Sequence, residues 1–327
     1  MNYDITIVIS SFNRDDKVGE TVTRLFESDL SQFERVEVII VDDGSPRPVA
    51  DVVESIGKPS AKIDLRVIRH ENSGIGATRN RGFRLAKSDI VLFLDDDILV
   101  KTSTLRHIFE ALGEQPAGLI FGSYPFISHE SESLARFACE FYGYDKVTDE
   151  PRFERVNAIT SGLMCIDKRK LGLTGALYDD DMTIPAAEEY EVIHRFSMLN
   201  IPIFSARHIS AIHNHHLELS WLAQQQYKYG LATAEAFAKC PSIIGIEHFA
   251  ELKRKLNELS NPGVRSSVKR MIASVPVRKL ILWMSKATNK LFPNRDHRTV
   301  FGLLTTSNYW GGYRDGLDRF GPQYEKN

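Results

Sequence analysis

Cysteine is scarce in this chain of 327 residues, and the three present, Cys139, Cys165 and Cys240, lie far apart. No CxxC spacing links them, which argues against a disulfide framework or a structural zinc site and fits a reducing compartment. An excess of charge of one sign is also missing. Lys+Arg total 41 against 43 Asp+Glu, a net charge of −2, so no global basic field draws nucleic acid. No uninterrupted apolar run reaches the roughly 18 residues that cross a membrane. No basic segment with an apolar core precedes the first strand pattern, so no signal peptide is expected. HExxH, internal repeats and low-complexity tracts are absent too. What remains is 43% hydrophobic and 26% charged, the balance of a globular chain. These absences together place the protein in the cytoplasm.

Apolar strand runs then alternate with helical spacings through the first hundred residues. Ile5-Thr6-Ile7-Val8-Ile9 reads as a buried strand, and 16–30 places Val18, Val22, Leu25 and Phe26 on one helical face. Val36-Glu37-Val38-Ile39-Ile40-Val41, Leu65-Arg66-Val67-Ile68 and 89–94 read as further strands, with helices over 49–56 and 75–86 between them. This alternation predicts an α/β fold with a mainly parallel sheet covered on both faces. Such a sheet delivers its carboxyl-end turns to one edge, so Ser10, Asp43 and Asp95 to Asp97 should gather there. The middle third is less regular, with strands expected over 118–124, 157–166 and a pair over 203–212, and helices over 133–144 and 187–199. From 219 onward the pattern turns helical, broken at Asn261-Pro262-Gly263. We read two domains, 1–218 (halves 1–100 and 101–218) and a mainly helical 219–327.

The chemistry concentrates at strand ends. Val91-Leu92-Phe93-Leu94 runs into Asp95-Asp96-Asp97. Three adjacent carboxylates repel, and burying them unpaired is costly. Hard oxygen ligands suit Mg²⁺ or Mn²⁺, which keep waters and accept phosphate oxygens. An acidic turn is the plain alternative. Asp42-Asp43-Gly44-Ser45 closes another strand, either to accept hydrogen bonds from a base or ribose or as a simple turn. Gly74-Ile75-Gly76 lacks the third glycine of a dinucleotide fingerprint, since Arg79 stands there; the loop instead offers backbone N–H groups and Arg79 to an anion, or is an ordinary loop-to-helix junction. Glu188-Glu189 opens a helix: a general base with a second carboxylate beside it, or a charged helix face with a Glu191–Arg195 pair. His213, His215 and His216 follow an apolar strand and could complete a metal site or form a cluster without function.

These stretches also resemble a known family. Ile7-Val8-Ile9-Ser10-Ser11-Phe12-Asn13-Arg14, Val38-Ile39-Ile40-Val41-Asp42-Asp43-Gly44-Ser45, Asn72-x-Gly74 with Ala77-x-Arg79-Asn80, and Leu94-Asp95-Asp96-Asp97 resemble, in order, the motifs of family 2 glycosyltransferases with the GT-A fold. Gly162-Leu163-Met164, Gly175-Ala176-Leu177-Tyr178-Asp179 and the segment from Glu188 to Arg195 are similar to its acceptor side. Two departures stand out: Ser10 replaces the usual proline, and Glu189 the usual aspartate. The resemblance covers about 4–216. It implies a GT-A-type, Rossmann-like sheet flanked by helices, with a C-terminal helical extension. It also implies an inverting transferase that moves a sugar from a nucleotide-diphosphate donor, most often UDP-linked, to a hydroxyl of a glycan or lipid-linked acceptor in cell-surface polysaccharide or glycolipid synthesis. By the same resemblance, Ser10, Asn13, Arg14, Asp43, Gly74, Arg79, Asp95 and Asp96 bind the nucleotide-sugar. Asp97, Asp95 and His213 hold Mn²⁺ or Mg²⁺. Glu189, or Glu188 next to it, is the base.

Two other functions compete. A sugar nucleotidyltransferase would carry a Gly-rich loop near its start, but residues 5–20 contain only Gly19. A non-catalytic nucleotide-sugar-binding scaffold would bind donor without turning it over. Residues 264–298 hold nine Lys and Arg against the single acid Asp296, interleaved with apolar residues. That pattern reads either as a peripheral contact with an anionic membrane surface or as a helical arm for core packing or a homodimer.

Overall fold

The computed structural model describes residues 4–57, 60–114, 118–128, 130–144, 147–173, 175–257 and 264–321. The break at Asn261-Pro262-Gly263 lies outside them. The strands are β1 (Ile5–Ser11), β2 (Val36–Asp42), β3 (Ile63–Arg69), β4 (Ile90–Asp95), β5 (Ile98–Val100), β6 (Leu119–Ser123), β7 (Phe126–Ile127), β8 (Phe153–Val156), β9 (Leu163–Asp167) and β10 (Ile203–His216). The chain divides into two compact units. One comprises Met1–Pro125, Tyr144–Asp180 and Phe196–His215; the other comprises Phe126–Gly143, Asp181–Arg195 and His216–Asn327.

In the first unit the sheet runs β3-β2-β1-β4-β9-β6-β10-β5. Its first four strands are parallel. Every residue of β1 and β2 is buried, as expected of strands covered on both faces. The helix Ile75–Leu85 lies hard against them: a Cβ on Gly82 would come within 2.2 Å of Val8, so only glycine permits the approach. β9 enters antiparallel between β4 and β6, and β5 and β8 pair antiparallel with β10. The predicted pair of strands over 203–212 is one strand of 14 residues, β10. It pairs in parallel with β6, but the register shifts between Ser205 and Ser210. Of the expected strand over 157–166 only the end is strand, as β9; residues 157–162 form a loop, and the unforeseen β8 precedes it.

Strand order sets up the site. From β1 to β3 the chain moves one way across the sheet, and β4 then starts the other direction on the far side of β1. This is a switch point, where open α/β sheets place ligands outside the strands' carboxyl ends. The register aligns those ends: Ser10 sits opposite Asp95 and Ser11 opposite Asp42.

The second unit is mainly helical. Leu219–Lys239 and Arg298–Phe320 form its central pair. They meet at glycines: a Cβ on Gly312 would lie 1.9 Å from the Tyr227 carbonyl oxygen, and one on Gly230 2.1 Å from that of Tyr309. Residues 126–143 and 181–195 group with these helices, unlike a division at 218. Packing explains the first of these segments: in the helix Glu132–Tyr142, Phe137 meets Phe301 at a ring distance of 5.5 Å. The basic segment forms two helices, Val264–Ala273 and Val275–Leu291, with Pro276 in the first turn of the second, where proline is tolerated.

Candidate active site

Four loops meet at the carboxyl ends of β1, β2, β3 and β4. After β4 the chain turns through Asp96 and Asp97, both nearly fully buried, straight into β5. Asp96 accepts a hydrogen bond from Ser11 Oγ at 2.7 Å, and its backbone carbonyl accepts one from Thr21. Arg14, just past β1, places its guanidinium 2.5 Å from Asp97 and 3.3 Å from Asp96. His213 arrives from far along the chain because β10 pairs antiparallel with β5, with His213 opposite Ile98. Its Nε2 lies 3.6 Å from the Asp97 carboxylate.

Electrostatics separates the two buried acids. Burial, with the charges of Asp97 and Asp95, pushes the Asp96 carboxyl up to about 7 against the pull of Arg14 and Ser11. Burial pushes Asp97 the same way, but its contact with His213 and the charges of His213 and Arg14 outweigh it. Asp97 is held well below the usual carboxylate range. Neighbouring His215 is pushed down to about 4, first by burial and then by the charge of His213.

Asp95 is braced rather than buried. Arg79 donates to it at 2.8 Å and lies 5.6 Å from the Tyr178 ring centre. Its backbone N–H donates to the Gly162 carbonyl, and a Cβ on Gly162 would crowd both Asp95 and Tyr124. Asp43 accepts from the backbone N–H groups of Ser73 and Gly74 at 2.7 and 3.1 Å and from Asn72. It therefore fixes the 72–74 loop, and Gly74, at φ +90°, starts the helix Ile75–Leu85 in a conformation other residues rarely adopt. Asp42 holds its own turn through Ser45 N–H. Asn13 also has a positive φ and donates its N–H to Ser45 Oγ, joining the β1 and β2 turns. The Ser10 hydroxyl is buried with no hydrogen-bond partner.

The structure thus brings together Ser10, Asn13, Arg14, Asp43, Gly74, Arg79, Asp95, Asp96, Asp97 and His213. Glu188 and Glu189 belong to the second unit, at the start of the helix Ala187–Met198, with Glu188 buried. Sequence reasoning gave no role to Ser11 or Tyr124, or to Asn80 beyond its place in a motif. Asn80 ties down the 177–180 turn, accepting from Leu177 and Tyr178 N–H and donating to the Tyr178 carbonyl and Asp180. Glu235 was also missed, because one glutamate in an alanine-rich helix gives no signal. Fully buried, it accepts from Thr183 and Ile184 N–H and from Lys239, fixing the segment that leads into the helix carrying Glu188 and Glu189. Replacing Glu235 with Ala strands the Thr183 and Ile184 N–H groups and the Thr183 hydroxyl, while Lys239 keeps the Asp181 carbonyl, so unfolding stability should fall by about 3 kcal/mol in denaturant titration. A loss under about 1 kcal/mol would show that water satisfies them equally well.

The donor chemistry fits a divalent ion of the Mn²⁺ or Mg²⁺ type. Asp97 offers hard oxygen and His213 nitrogen, beside acids whose repulsion a cation relieves. Among the described residues no three His, Cys, Asp or Glu side chains form a closed cage. Such ions are commonly held by one or two protein groups, with water and phosphate oxygens completing the shell.

Residues 6–167 match the model of the family described as Glycosyl transferase family 2. That segment of the chain belongs to the family. Other proteins agree with this placement. GlyG, a glycosyltransferase of Streptococcus pneumoniae, is 25% identical over 154 residues, 46% of this chain and 48% of GlyG. An uncharacterized glycosyltransferase of Haemophilus influenzae is 35% identical over 113 residues, 34% of this chain and 35% of that one. The matched segments cover less than half the length of these curated relatives. The solved structure of mannosyltransferase PcManGT from Pyrobaculum calidifontis, in complex with GDP-Man and Mn²⁺, superposes with a TM-score of 0.59 at 16% identity. It covers 96% of this chain and 88% of that one, which shows a shared GT-A fold.

Proposed function

We propose that this family 2 member is an inverting, metal-dependent transferase. It moves a sugar from a nucleotide-diphosphate donor, UDP-linked in our reading, to a hydroxyl of a glycan or lipid-linked acceptor. One observation carries the reading: Asp97, His213 and Arg14 converge where β4 ends at the sheet's switch point. PcManGT, with GDP-Man and Mn²⁺ bound, supports the same class of ligand here.

Asp97 and His213 would hold Mn²⁺ or Mg²⁺, with Asp95 as an outer support braced by Arg79. The ion, when bound, neutralises charge on the diphosphate as the nucleotide leaves. Asp96, anchored by Ser11, would contact the ribose or a water on the ion. Asp43 and the 72–74 loop it fixes frame the base and ribose, with Ser10 and Asn13 nearby. Arg14 adds positive charge for the phosphates. Glu189, or Glu188 beside it, takes the proton from the acceptor hydroxyl, which attacks the anomeric carbon from the face opposite the nucleotide. A single displacement inverts that carbon, so no nucleophilic side chain is required.

Calorimetry of UDP, GDP and dTDP with and without Mn²⁺ tests this on wild type and Asp97→Ala. Binding of one nucleotide that needs the metal and disappears in the variant supports the reading. No binding of any nucleotide with metal present would move the scaffold reading ahead.

A further inference from the structure

The helix Val275–Leu291 in the second unit keeps one side turned outward. Ile281, Ser285 and Asn289 face inward and are buried. At 100° per residue, Lys279, Lys286 and Lys290 form one outer row, and all three are exposed. Leu280, Met284 and Leu291 form a parallel row, exposed by 54%, 47% and 70%. Trp283, 65% exposed, stands between the two rows. The preceding helix, Val264–Ala273, adds exposed Val268, Met271 and Arg270. Neither helix contains an acidic residue.

This arrangement is more specific than a basic segment. Exposed apolar residues are ordinarily scattered, and a continuous row of them marks a contact surface. The three lysines stay exposed, Lys286 within reach of the Glu130 charge. Here they sit beside a tryptophan at the edge of an apolar row, the layout of a helix lying in the headgroup region of a bilayer. Among the described residues no helix is long and apolar enough to cross a membrane, so any contact is lateral. A cavity of about 530 Å³ opens on the lysine side of the same helix. Lys228, Arg278 and Lys279 line it together with Leu231 and Leu282. Arg278 lies 4.8 Å from the Tyr227 ring centre and 4.0 Å from the Asp315 carboxylate, and among the described residues its Nε is buried without a hydrogen-bond partner. Cations over an apolar floor match a lipid phosphate with its first chain carbons.

We propose that the second unit docks on an anionic lipid bilayer through the outer face of Val275–Leu291. Trp283, Leu280 and Met284 enter the headgroup boundary, the lysine row meets the anionic lipids, and the cavity beside it receives a lipid phosphate. The proposal does not depend on the transfer chemistry, because binding to vesicles is read without donor or acceptor.

The test is flotation of the full chain with vesicles of phosphatidylcholine containing 30% phosphatidylglycerol at low salt. Wild type should co-float and come off in ~0.5 M salt, and vesicles of phosphatidylcholine alone should bind at least tenfold less. Replacing Lys279, Lys286 and Lys290 by Gln should weaken binding roughly 100-fold, about fivefold for each lysine. Trp283→Ala should weaken it about tenfold. Brominated lipid should quench the intrinsic fluorescence of wild type but not of Trp283→Phe, a readout that needs no charge change. The proposal fails if wild type does not float, if it floats equally on uncharged vesicles, or if the lysine and tryptophan variants bind as wild type does. It also fails if sedimentation shows a dimer that Trp283→Ala converts to monomer while flotation is absent, since a second copy would then cover the face.

Discussion

Asp97→Asn should cut kcat/KM for transfer by a factor of about 10³ while leaving the fold intact. Asparagine keeps the size of the side chain and removes one buried charge. That charge is matched by Arg14 at 2.5 Å, and His213 Nε2 lies 3.6 Å away. Metal held there supplies several kcal/mol of transition-state stabilisation, and each 1.4 kcal/mol is a tenfold change in rate. The loss should appear in kcat as well as in KM, because neutralising the leaving diphosphate matters most as the bond breaks. On the proposed reading raising Mn²⁺ should recover little, since a direct ligand would be gone. Steady-state rates across a metal titration, with circular dichroism as the fold control, read all of this. Activity within tenfold of wild type would remove Asp97 from the metal site and leave its burial to be explained by Arg14 alone.

The second large effect is structural. Gly312→Val should destabilise the helical unit by about 3 kcal/mol, toward the upper end for overpacking. The new Cβ would lie 1.9 Å from the Tyr227 carbonyl oxygen, and backbone cannot step aside as a side chain can. The helices Leu219–Lys239 and Arg298–Phe320 would have to separate, opening the packing around Tyr313 and Phe237. Gly302→Ala, in the same helix, has nothing within 4 Å of its new Cβ. It should instead gain about 0.5–1 kcal/mol from helix propensity. Thermal melts of the two variants should therefore move in opposite directions. A common direction would show that helix propensity, not contact, governs both positions.

Much of the first unit could be read before any coordinates. Runs such as Val36-Glu37-Val38-Ile39-Ile40-Val41 are apolar enough to be strands buried on both faces, and the pattern of the carboxylates marked the strand ends. The alternation of strands and helices also fixed where those ends would meet. The pairing of β10 with β5 was not legible, because a parallel strand order leaves no local trace of an antiparallel neighbour. The role of His213 therefore came from resemblance and its position from topology. Asp42 and Asp43 look alike in sequence, yet one caps its own turn and the other holds a loop 30 residues away. The middle third misled for a related reason: its strands are short, and their partners lie more than 40 residues off, so period-2 patterning is weak. The helix Arg298–Phe320 was not delimited within the helical region read from 219 onward, because its glycines lower helix propensity, although those same glycines allow the close crossing.

The register shift in β10 has a consequence for how such a site is inherited. Along β10, Ser205 faces Phe121 and Ser210 faces Ser123, so five residues of one strand span two of the other. His213 lies just three residues beyond that irregularity. Side chains alternate between sheet faces, so deleting one residue between 206 and 209 would turn His213 away from Asp97 and bring a neighbour round in its place. None of the residues gathered at the strand ends would have changed. The length of this small irregularity therefore works like a reading frame, and the site can be silenced or restored by an edit that leaves every chemical group intact.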